Sequence, residues 1–140
     1  MDCDLCHGAG GTLLWQNDCC RVVAVDEPGL AGYLRVVLRR HVREMTDLPE
    51  AERNRLMAVV FAVEKHVRQS MEPDKMNLAS LGNLTPHLHW HVIPRWQDDR
   101  HFPGPIWAAA KHESPVAPDR TAAAARMLDT LPAALAPWDE

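Results

Sequence analysis

A chain of 140 residues with 46% hydrophobic and 24% charged content is long enough to bury one sizeable core and too short to argue for two. Its formal net charge of −4 and pI near 6.0 give none of the basic footprint that drives nucleic-acid binding, so no nucleic-acid partner is expected. No apolar run approaches the roughly 18 residues of a membrane span, and the start Met1-Asp2-Cys3-Asp4 lacks the pattern of a signal peptide. The expectation is therefore a cytoplasmic protein with no membrane partner.

All four cysteines, Cys3, Cys6, Cys19 and Cys20, fall in the first twenty residues. In a reducing compartment Cys3 and Cys6 look more like a metal clip than a disulfide. Cys19 and Cys20 are adjacent at the start of an apolar strand, so one is expected to face the core and the other to face away. Gly8-Ala9-Gly10-Gly11 marks a turn, followed by a strand over Thr12–Trp15. The β-branched run Arg21–Val25 predicts a second strand, closed by the turn signal Asp26-Glu27-Pro28-Gly29, and Tyr33–Leu38 predicts a third.

After the basic triplet Arg39-Arg40-His41, the stretch Asp47-Leu48-Pro49-Glu50 carries helix-start chemistry, with Asp47 as the expected N-cap. Leu56, Val59, Val60, Val63, Val67 and Met71 then recur at the spacing of one buried helix face, and Pro73 ends the helix. His66 lies on the flank of that stripe. Lys75–Leu81 predicts a fourth strand and Gly82-Asn83 a turn. Beyond Arg95 a charged, then proline- and aromatic-rich segment reaches Trp107, either as a lid over a site or as a tail packed on the core. Asp119 or Thr121 is expected to cap a short alanine-rich helix through Leu128, ended by Pro132. Helix on antiparallel sheet is an α+β layer architecture. Residues 1–107 form its main body, and 108–140 extend the same domain.

The fifth strand holds the chemistry. In His87-Leu88-His89-Trp90-His91-Val92-Ile93-Pro94-Arg95 three histidines alternate with apolar residues, so the imidazoles share one strand face while Leu88, Trp90 and Val92 take the other. Three charged imidazolium groups in a row would repel, so most of the row is expected to be neutral, with ring nitrogens free to act as nucleophiles, hydrogen-bond partners or metal ligands.

The pattern His-φ-His-φ-His-φ-φ, with φ apolar, resembles the signature of the histidine-triad superfamily of nucleotide hydrolases and transferases, and His87–Ile93 matches it without a gap. The chain is similar to the bacterial branch of dinucleoside polyphosphate hydrolases, over roughly Asp2 to Trp107. The resemblance implies a histidine-triad-like α+β fold: a five-stranded antiparallel sheet with one long helix and a short C-terminal helix, paired into a homodimer. It makes His89 the nucleophile at the α-phosphorus of a nucleotide and His91 a donor to the phosphate or the leaving group. It places Asp26 on the ribose hydroxyls, and Asn77 and Asn83 on phosphate or the nucleophile. A serine is common in the family where this chain has Leu84, and Thr85 is the substitute donor.

In several branches of the superfamily zinc is held by the residues that correspond to Cys3, Cys6, His41 and His87. Two thiolates and two imidazoles close a tetrahedron, so such a zinc is structural. The leading reading is a hydrolase of dinucleoside polyphosphates that releases a nucleoside monophosphate, with Trp107 or Trp96 stacking on a second base. Two alternatives stay open: a purine nucleoside phosphoramidase, and a nucleotide-binding or zinc-stabilised module without turnover.

Overall fold

The structure, a computed structural model, describes residues 3–113 and 115–140. Met1 and Asp2, which begin the acidic start and the 1–107 body, lie outside the described residues. Five strands form one antiparallel sheet: β1 Thr12–Gln16, β2 Cys20–Ala24, β3 Leu34–Leu38, β4 Lys75–Ala79 and β5 His89–Arg95, in the order β1-β2-β3-β5-β4. The last strand in sequence is thus inserted beside the centre of the sheet, with Val37 opposite His89 and Arg35 opposite His91. His87 stands just before β5, in irregular backbone after Pro86.

One face of the sheet is the main core. Val22, Leu34, Val36, Leu38, Leu88 and Val92 pack under α2, Glu50–Met71, whose six stripe residues from Leu56 to Met71 are all buried. The helix begins later than Asp47 predicts. Leu48, held extended before Pro49 (φ −83°, ψ 142°), keeps Asp47 in a 3-10 turn over Met45–Asp47. Pro49 takes the capping position without a side-chain bond, and its carbonyl accepts from Arg53 N–H at 3.0 Å. Glu50 and Glu52 complement the dipole in the first turn. The C-terminus closes with Glu72 left-handed (φ 47°, ψ 56°), and Pro73 blocks continuation.

The C-terminal helix α3, Pro118–Leu135, is longer than the sequence suggests, runs through Pro132, and has Ala117 rather than Asp119 or Thr121 at its cap. A proline inside a helix removes one hydrogen bond and costs about 3 kcal/mol. Burial of Ala124, Met127, Leu131 and Leu135 along one stripe offsets that, each large apolar side chain contributing about 1.5–3 kcal/mol. His66 fastens the contact between the helices, its Nε2 lying 3.0 Å from both Met127 O and Thr130 Oγ1. Trp15 Nε1–H donates to Asp139 at 2.8 Å and Asn17 Nδ2–H to Trp138 O at 2.7 Å, tying the chain end to β1. Cys19 and Cys20 are both buried, against the expectation of opposite faces. Cys19 sits in the turn before β2, where Asn17 Oδ1 accepts from both backbone N–H groups, so strand alternation does not govern it.

Among the described residues the other sheet face is covered at its two ends. At one end the short helix α1, Asp4–His7, sets Cys3 and Leu5 on Val23 and Val37. At the other, Ile106 packs with Leu30, Tyr33 and Ile93. The 96–107 segment is no loose surface run, since Trp96, Asp99, His101 and Ile106 are all buried. Among the described residues no helix is long and apolar enough to cross a membrane.

Candidate active site

Between those two covers lies a hollow of about 330 Å³ whose floor is His89, His91 and Arg35. Its walls include Asn83 and Thr85 from the β4–β5 loop, Asp4 from α1, and Trp107. The alternation of β5 delivers the two histidines to this face while Trp90 and Val92 pack in the core, as the strand period requires.

The hydrogen bonds assign the ring nitrogens. His89 Nδ1–H donates to the carbonyl oxygen of His87 at 2.6 Å, because a carbonyl can only accept. In the neutral ring Nε2 is then the nitrogen with the free lone pair, as a nucleophile requires. Ser80 Oγ–H donates to His89 O at 2.8 Å and pins the same residue's backbone. His91 Nδ1 lies 2.6 Å from the Tyr33 hydroxyl, a buried contact. With Tyr33 donating, the proton of the neutral His91 ring sits on Nε2, which makes that atom a donor. Burial first, then the neighbouring His89 and Arg35, push the His91 pKa down to about 4. The His89 and His91 rings meet edge to face at 5.0 Å, and Trp107, 49% exposed, meets His91 at 4.9 Å.

Asn83, Thr85, Trp107, His89 and His91 are thus gathered as the sequence reading expects. Asp26 and Asn77 are not. Asp26 lines a separate hollow with Tyr33 and Leu34. Asn77 Oδ1 accepts from Arg95 Nη1 at 2.9 Å. Trp96 is buried, with the Arg120 guanidinium 4.6 Å over its ring, so of the two candidate stacking tryptophans only Trp107 reaches the hollow. Tyr33, Arg35 and Ser80 carry no local signal, since their place at the site depends on which strands pair.

Arg95 and Asp99 form a fully buried pair that organises the segment leading to Trp107. Arg95 donates to both carboxylate oxygens of Asp99 at 2.8 and 3.0 Å, and to Gly104 O at 2.8 Å. Asp99 also accepts from the backbone N–H groups of Trp96, His101 and Phe102. Burial alone would raise the Asp99 pKa, but Arg95 and these N–H donors hold it at about 2.

Beside the hollow, Cys3, Cys6, His41 and His87 bring one ligating atom each to within 4.8 Å of one another. His87 Nδ1 is 3.4 Å from both Cys3 Sγ and Cys6 Sγ, and His41 Nδ1 is 3.4 Å from Cys6 Sγ. Bonds of about 2.3 Å to sulfur and 2.0 Å to nitrogen at the tetrahedral angle imply an S···N edge of about 3.5 Å, so the set fits a metal site. His87 Nε2–H donates to Leu38 O at 2.7 Å, the kind of outer bond that orients a ligating imidazole. Burial lowers the His87 pKa, which keeps the Nδ1 lone pair available.

Known proteins resemble this chain in sequence and fold. Residues 9–98 match the family model of the HIT domain. A curated relative from Mycobacterium tuberculosis, an AP-4-A phosphorylase, is 35% identical over 77 residues, covering 51% of this chain and 40% of its own length. The chain therefore spans well under half of that relative. The structure of a histidine triad protein from Bradyrhizobium japonicum superposes with TM-score 0.69 at 27% identity, covering 94% of this chain and 92% of that one. A Zn-bound histidine triad family protein from Mycobacterium smegmatis superposes with TM-score 0.63 at 23% identity, covering 99% of this chain and 96% of that one. The sheet order, the histidines on its open face and a family match over most of the sequence lead to one conclusion: the chain belongs to the HIT domain family.

Proposed function

We propose that this chain is a nucleotide hydrolase that attacks the α-phosphorus of its substrate with His89 and releases a nucleoside monophosphate, with dinucleoside polyphosphates such as diadenosine tetraphosphate as the substrate class. The observation that carries the reading is the bond from His89 Nδ1–H to His87 O, which in the neutral ring puts the free lone pair on Nε2. In this reading Nε2 bonds to phosphorus as the P–O bond to the leaving polyphosphate breaks, and the nucleotidyl-histidine is then hydrolysed with cleavage of the N–P bond. His91 Nε2–H stabilises charge on the phosphate oxygens, a matter of positioning rather than acid strength. Asn83 and Thr85 add polar contacts from the loop, and Trp107 offers a face to a base. The AP-4-A phosphorylase of M. tuberculosis supports the substrate class.

The Cys3, Cys6, His41 and His87 cluster is read as a structural zinc site, supported by its closed donor set and by the Zn-bound relative. It would fix α1 to the residue that holds the His89 tautomer, and it has no open position for chemistry. Pairing of two copies belongs to the same reading, and sedimentation in solution tests it.

The test of the chemistry is incubation with diadenosine tetraphosphate, rapid quenching without acid, and mass spectrometry. An acid-labile adenylate is expected on the peptide containing His89, and His89→Ala is expected to lose both adduct and turnover. Wild-type turnover by His89→Ala would overturn the assignment. Turnover of adenosine phosphoramidate alone would move the enzyme to the phosphoramidase alternative.

A further inference from the structure

Arg35 is a poor fit to a purely structural role. It projects from β3 onto the open sheet face, directly opposite His91, and lines the hollow with both histidines. Facing residues on paired strands have Cβ atoms about 5 Å apart, so the guanidinium and the His91 ring share one neighbourhood. Among the described residues its side chain makes one hydrogen bond of full geometry, from Nη1 to Gly10 O at 3.2 Å, with the Tyr33 hydroxyl as a looser second acceptor. Its Nε is buried without a partner. The guanidinium also lies 5.7 Å from the centre of the Tyr33 ring. Asp4 lines the same hollow but makes no ion pair with it. A permanently charged group with five N–H donors and only modest acceptors is thus held beside His89 and His91 with no carboxylate paired to it. Burying a donor without a partner costs stability, so such an arrangement points to an acceptor that arrives with a ligand.

We propose that Arg35 is the phosphate-gripping cation of the hollow, receiving non-bridging oxygens of a nucleotide's phosphate chain alongside His91 and making affinity depend on phosphate charge. The inference deepens the nucleotide reading above and rests on it for the nature of the ligand. It adds a ligand-binding role to a residue that no feature of the histidine row announces. The planar fork matches two phosphate oxygens at once, which a lysine cannot do.

The experiment is calorimetric titration of wild type, Arg35→Met and Arg35→Lys with adenosine, adenosine monophosphate, adenosine diphosphate and inorganic pyrophosphate, with thermal unfolding of each variant alongside. Wild type is expected to bind the diphosphate and the monophosphate ahead of adenosine. Arg35→Met is expected to lose between about tenfold and a hundredfold for the phosphate-bearing probes, the range of charge-assisted hydrogen bonds, with adenosine unchanged. Arg35→Lys should recover part of the loss. As a readout that needs no variant, adenosine monophosphate should protect Arg35 of the wild-type protein from phenylglyoxal. Undiminished affinity in Arg35→Met, or unprotected Arg35 in the nucleotide-bound protein, overturns the proposal and leaves the nucleotide reading intact. Pyrophosphate binding that depends on Arg35, without nucleotide binding, keeps the anion site and overturns the nucleotide reading. Wild type that binds none of the phosphate-bearing probes overturns both.

Discussion

Replacing Asp99 by alanine tests how the fold delivers Trp107 to the site. The substitution strips the buried Arg95 guanidinium of two charge-assisted bonds and orphans the backbone N–H groups of Trp96, His101 and Phe102. Both side chains are only 2% exposed, so water cannot easily take the place of the lost carboxylate. Removing one partner of a buried pair costs about 3–5 kcal/mol, because the other charge stays buried. Unfolding entropy of about 2.1 cal/mol/K per residue, over the whole chain, converts that into a fall in Tm of roughly 10–17 °C. Thermal unfolding followed by circular dichroism reads it. Turnover should fall with it even at temperatures where the variant is folded, since Arg95 also holds Gly104 O on the path to Trp107. A Tm within about 2 °C of wild type would refute the claim that this pair organises the segment.

Tyr33→Phe removes the hydroxyl from His91 Nδ1; kcat is expected to fall about tenfold with little change in KM, as measured by steady-state turnover of diadenosine tetraphosphate. Protein purified without chelator is expected to carry one zinc per chain by elemental analysis, and chelation or His41→Ala should lower Tm by about 9 °C or more, the value for a metal present at a hundred times its Kd. Because the folded pKa of His91 is about 4, below its ordinary value near 6.5, the unfolded chain binds a proton that the folded chain refuses. This group therefore contributes nothing above about pH 6.5 and destabilises the fold progressively as pH falls toward 4. Urea midpoints measured from pH 7 to pH 4 should fall less for His91→Gln than for wild type.

The alternation from His89 to Ile93 told in advance which residues would share a face, because a strand has period two wherever it is placed, whereas His87 lies ahead of the strand and turns to the Cys3, Cys6 and His41 cluster. The spacing from Leu56 to Met71 likewise revealed the buried stripe of α2, because helical geometry is local. Proline punctuation misled at both ends. Pro49 delayed the start of α2 beyond Asp47, and Pro132 failed to end α3, since burial of Leu131 and Leu135 outweighs one lost hydrogen bond. The Cys3 and Cys6 spacing suggested a metal clip by itself, while His41 and His87 joined it only through family resemblance.

Strand neighbours were beyond the sequence's reach. Inserting β5 between β3 and β4 sets Arg35 opposite His91 and Val37 opposite His89, and this pairing joins residues more than fifty positions apart. It brings Tyr33 to His91, gives Asn77 to Arg95 and leaves Asp26 on another hollow. The periodicity of each strand determined which face its side chains occupy. Only the tertiary pairing, set by long-range burial of the apolar faces, decided which of those side chains meet.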